Sequence, residues 1–165
     1  MDILVASIAL ILHIFSAVVW VGGMFFALVV LRPASGPLDP AARLALWLRV
    51  FTRFFPWVFA AIILLLASGF ALMLGGYATG LHVHLMMGIG IIMMLIFLHL
   101  YFAPWKRFRV ALAAANNAAA AAQLNQIRIL VTVNLILGLV TVAIGSSGRY
   151  WGSKKLTASS MVSLA

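Results

Sequence analysis

Four stretches of this chain contain no Asp, Glu, Lys or Arg: residues 3–31, about 56–74, about 81–103 and about 129–146. Each approaches the roughly 20 helical residues that cross a hydrocarbon core about 30 Å thick. Within each stretch the apolar residues are continuous rather than alternating. That pattern favours helices, which satisfy their own backbone hydrogen bonds in lipid, over a β-barrel. With 66% hydrophobic and 8% charged residues, the chain carries more apolar surface than a water-soluble domain of 165 residues can bury. The expected fold is all-α: a polytopic membrane protein, a four-transmembrane-helix bundle over residues 1–150, with short interfacial or cytoplasmic helices. The start, MDILVAS, lacks the basic region of a signal peptide, so the first run is expected to be a retained membrane helix. Residues 151–165 give no structural signal and are expected to form a flexible tail.

The charges lie between the runs. Net charge is +9, from eleven Lys and Arg against two acids, Asp2 and Asp39. Arg32, Arg43, Arg49 and Arg53 lie between runs one and two; Lys106, Arg107, Arg109 and Arg128 lie between runs three and four. The connection between runs two and three, GGYATG, carries no charge. The positive-inside rule then places the two basic loops in the cytoplasm and both termini in the periplasm of a bacterial inner membrane. The expected partner of this basic surface is the lipid bilayer, not nucleic acid. "LDPAARLALWLRVF" has Asp39 as N-cap and Pro40 in the first helical position. The alanine-rich "RVALAAANNAAAAAQLNQIR" favours helix, with Asn116 and Asn117 as its break point.

The chain contains no cysteine. This excludes disulfides, thiolate metal sites, iron–sulfur clusters and covalently attached haem. Its four histidines, His13, His82, His84 and His99, all lie in or at the ends of apolar runs. An ionisable side chain in lipid is costly, so each is a candidate functional residue. No carboxylate accompanies them in the spans, which removes a carboxylate proton relay. Imidazoles facing one another across a helix bundle can hold b-type haem; with thioethers nearby they can bind copper. His13, Ser16 and Trp20 share a helical face by their spacing. On the third run His84, Met87, Gly88 and Ile91 share one face, and His82, Met86 and Met93 share another.

Depth along the helices points to His13 and His84 as an axial pair near the outer face, with His99 about 20 Å lower. In that arrangement Trp20 and Gly88 border a planar cofactor, and Arg149 meets its propionates. The wider set of metal-ligand candidates is His13, His84, His82, His99 and Met87. The leading expectation is a haem b protein that passes electrons to or from a quinone or another redox protein, with homo-oligomerisation open. Copper handling is the alternative, and a cofactor-free accessory subunit is the third reading.

"LHIFSAVVWVGGMFF" resembles the first helix of the CopD family, a histidine followed by a W-x-G-G-like stretch. "RFFPWVFAAIILLLASGFALM" resembles that family's second helix, in which basic residues lead into a span ending near Ser-Gly. The pattern is also similar to HemJ-type protoporphyrinogen oxidases, small haem b membrane proteins whose third helix begins His-x-Lys. Here "LHVHL" sets His82 and His84 in that place, with His84 where those enzymes carry lysine. The CopD resemblance implies copper uptake; the HemJ resemblance implies haem b and porphyrinogen oxidation. Both imply four membrane helices.

Overall fold

The computed structural model describes residues 2–151, without the side chain of Arg149. Among them are four helices long and apolar enough to cross a membrane: α1 (Ile3–Ala34), α2 (Pro40–Leu74), α3 (Leu81–Ala113) and α4 (Asn117–Ser147). The protein is an all-α integral membrane protein. Most of the tail, with Lys154 and Lys155, lies outside the described residues, as does the proposed role of the Arg149 side chain.

Each helix extends past its uncharged run. The segment expected as a separate interfacial helix, from Pro40, is instead the first part of α2, which continues without interruption through Pro56. Asp39 starts it by accepting from the Ala41 and Ala42 amides at 3.0 and 3.4 Å, which occupies two of the N–H groups a helix start leaves unpaired. The alanine-rich segment is divided where its asparagines stand. Its first part completes α3. Ala115 takes a left-handed conformation (φ 54°), and Asn116 caps α4 by accepting from the Ala119 amide at 3.0 Å.

Two wide π-helical turns interrupt the α-helices, Phe26–Leu31 in α1 and Tyr101–Trp105 in α3. Pro104 lies inside the second, and Pro33 follows shortly after the first. A proline ring collides with the carbonyl four residues back and donates no hydrogen bond. Widening the turn is one way for a helix to pass it.

α1 packs along α2, and α3 along α4; α4 also touches α1 and α2. The backbones of α2 and α3 stay apart although a short turn joins them. Aromatic side chains bridge the gap: Phe55 meets Phe97 and Trp105 edge-on, with ring centroids 5.6 and 5.1 Å apart, and Phe59 meets Tyr101 at 4.9 Å. Trp20 of α1 joins this core against Phe97. The outward faces carry exposed apolar residues such as Phe15, Trp57, Leu95 and Ile136, as contact with a lipid bilayer requires.

Candidate functional site

His13 lies ten residues into α1, about 15 Å along its axis at 1.5 Å per residue, and is half-buried against α2. Its Nδ1 is 2.9 Å from the Ser68 hydroxyl. Ser68 is buried and donates its only hydrogen to the Leu64 carbonyl, one helical turn back. A hydroxyl that has given its proton to a carbonyl can only accept from the imidazole. The arrangement that satisfies both contacts has Nδ1 donating to Ser68, which leaves the Nε2 lone pair for a ligand. The next residue, Gly69, makes room for the ring: a Cβ there would lie 3.3 Å from His13 Cε1. Ser68 and Gly69 thus form a cradle in α2 that fixes the tautomer and orientation of an imidazole from α1. Metal-bound histidines ordinarily have this arrangement, one ring nitrogen donating to the protein and the other left to ligate.

The remaining candidates are distributed along α3. The inward face is the one with His82, Met86 and Met93. A Cβ on Gly148 would lie 2.4 Å from His82, and one on Gly145 would lie 2.8 Å from Met86 Cε. The His82 ring also meets Trp151 edge-on, with centroids 6.4 Å apart. Met93 is buried, and its carbonyl accepts from Asn134 Nδ2 of α4 at 3.1 Å.

The face with His84, Gly88 and Ile91 is exposed, with Met87 half-buried at its edge. His84 Nδ1 donates to the Gly80 carbonyl at 2.9 Å, a contact to its own helix start rather than to another helix. A Cβ on Gly88 would meet nothing within 4 Å. The geometry therefore brings His13 to Ser68, not to His84. His84 lies three residues into α3 and points outward, with His13 deeper in the bundle. His99 is exposed near the other end of α3. Trp20 is buried core, edge-on to Phe97 at 6.2 Å. Among the described residues no three His, Cys, Asp or Glu side chains converge on one point.

Ser68 entered the sequence reading only as the serine of the Ser-Gly pair in the second CopD-like stretch, not as a candidate site residue. The available signal was that it is the only hydroxyl between residues 56 and 74, one helix away from an unexplained intramembrane histidine.

No curated protein and no solved structure matches the chain. Residues 48–147 match the family described as CopD, copper resistance protein D. The match takes in Ser68, Gly69 and the three histidines of α3; His13 precedes it. It covers more than half of the sequence, from within α2 to the end of α4, and the chain belongs to the CopD family.

Proposed function

We propose that the protein handles copper within a bacterial inner membrane, with the metal as cargo and His13 Nε2 as the ligand atom that receives it. The observation that carries this reading is the 2.9 Å contact of the Ser68 hydroxyl with His13 Nδ1; with Nδ1 donating there, Nε2 is the ring atom left to ligate. An imidazole lone pair suits copper, and thioethers suit its soft monovalent form. Met86 and Met93 of α3 carry such sulfurs and pack against α4, at Gly145 and Gly138. Membership of a family described by copper resistance supports the same assignment. A single imidazole held by a neutral hydroxyl binds a passing ion less completely than a closed cage would, which fits cargo.

The same Nε2 is also the atom that would ligate haem b, the cofactor expected from the imidazoles alone, and this is the second reading. In the single chain His84 faces outward and so does not oppose His13 across a ring. A bis-histidine haem would therefore need α3 to turn or a second copy of the chain. Copper takes precedence because a single imidazole can receive it, whereas a bis-histidine haem requires two that face each other.

The test reconstitutes purified protein in vesicles containing a monovalent-copper chelator dye. Wild type should admit copper, His13→Ala should not, and His84→Ala should retain most of the uptake. Uptake unchanged in His13→Ala would overturn the assignment. A Soret band in copper-free protein that His13→Ala abolishes would move His13 to the haem reading.

A further inference from the structure

The gap between α2 and α3 opens sideways as a groove in the half of the bundle nearer the basic loops. It comprises chambers of about 640 and 310 Å³ that share Tyr101, Trp105 and Arg109 as walls, a size typical of small-ligand sites. The floor is aromatic, with half-buried Phe59 and Tyr101 over the buried Phe55 and Trp105. Two of these, Tyr101 and Trp105, begin and end the π-helical turn around Pro104. Wide turns of this kind often accompany functional sites.

Lys106 and Arg109 stand at the mouth, within two turns of the end of the uncharged run. The Arg109 guanidinium lies over the Trp105 ring, 5.9 Å from its centroid. The only acid between the first two spans or the last two is Asp39, and it caps its own helix. The mouth is therefore cationic at headgroup depth, above an apolar floor that faces the acyl region.

We propose that this groove binds one anionic phospholipid of the surrounding bilayer, its phosphate between Lys106 and Arg109 and an acyl chain laid along Phe55, Phe59 and Tyr101. A soluble anion would satisfy the cations but leave the aromatic floor uncovered. A neutral quinone would cover the floor but make no use of two cations. An anionic lipid matches both parts, and basic pockets between membrane helices are known to take such headgroups. The site is separate from the His13 cradle, and its test does not depend on copper.

Trp105 reports on occupancy. The full chain is placed in nanodiscs containing phosphatidylglycerol or phosphatidylcholine with brominated acyl chains, and the Trp105 signal is taken as wild type minus Trp105→Phe. Phosphatidylglycerol should quench it at a lower mole fraction, by about five-fold for each cation at low salt. The preference should shrink as salt is raised. Lys106→Gln with Arg109→Gln should abolish the preference while leaving quenching by phosphatidylcholine unchanged, which also shows that the groove has survived. Equal quenching by the two lipids in wild type, or a preference that persists in the double variant, would overturn the proposal. So would full relief of phosphatidylglycerol quenching by an equal mole fraction of a neutral isoprenoid quinone. The salt series on wild type decides the matter should the double variant fail to fold.

Discussion

At the scale of single residues, what makes His13 chemically distinct is a hydrogen bond on a different helix. An isolated imidazole in lipid interchanges its tautomers; one whose Nδ1 proton is held by Ser68 presents Nε2 continuously. Ser68→Ala should therefore weaken copper binding by about 10–100-fold, the usual cost of losing the group that orients a metal-bound histidine. Ser68→Thr, which keeps the hydroxyl, should restore most of it. Titration of the detergent-solubilised variants with monovalent copper against a competing chelator measures this. Equal affinity in wild type and Ser68→Ala would show that the hydroxyl only packs.

His13 stood out in the sequence as a candidate because an ionisable group among apolar residues has few inert explanations. Its partner did not, because a lone serine in a membrane helix resembles the small residues that let helices approach. His84 and Gly88 show the opposite problem. Spacing reveals which residues share a face, but around a membrane helix both lipid and core are apolar. Hydrophobic patterning therefore does not say which face turns inward, and on α3 the inward face is that of His82, Met86 and Met93.

At the scale of elements, the four apolar runs located the spans, and the ends of the helices depended on polar detail. Asp39 and Asn116 fixed two helix starts because their side chains meet backbone amides. The extent of α2 was harder to read. Arg43, Arg49 and Arg53 suggest an interfacial segment, yet Leu44, Trp47 and Phe51 continue the buried stripe into the span. Glycines refine the packing of these helices.

Gly22 and Gly23 are neighbours in the W-x-G-G-like stretch but differ in surroundings. A Cβ on Gly23 would fall 2.3 Å from the Phe54 ring, whereas one on Gly22 would meet nothing within 4 Å. Gly23→Ala should therefore displace Phe54 and destabilise the α1–α2 pair by about 1–3 kcal/mol, the range for overpacking. Gly22→Ala should leave stability unchanged or slightly raised, since alanine is the better helix former. Thermal unfolding in detergent of the two variants side by side checks the contrast. A comparable loss in both would mean that something outside the chain occupies the space beside Gly22.

For the whole molecule, charge is the organising quantity. Arg32, Arg43 and Arg128 gather at one end of the bundle, close enough for the first two to act electrostatically on the third, and Arg128 lies over the Trp47 ring, 5.6 Å from its centroid. Lys106, Arg107 and Arg109 belong to the same end. Like charges collected this way repel, and an anionic membrane surface with the negative interior potential offsets that repulsion. The end bearing Gly76 and Gly80, by contrast, has a neutral turn. We therefore infer that the arginine-rich end is cytoplasmic and the turn between α2 and α3 periplasmic, which places the His13 cradle nearer the periplasm and the lipid groove nearer the cytoplasm. Copper entering from outside would then reach the imidazole before the basic end, whose positive field disfavours a cation held there.

Because the chain lacks cysteine, single cysteines can report on this orientation without background. Pro37→Cys and Thr79→Cys are exposed positions in the first loop and the neutral turn. In spheroplasts a membrane-impermeant maleimide should label Thr79→Cys at once and Pro37→Cys only after permeabilisation. The reverse pattern would invert the molecule and turn the cradle toward the cytoplasm, and labelling of both without permeabilisation would rule out the single crossing by α2 that separates the first loop from the neutral turn.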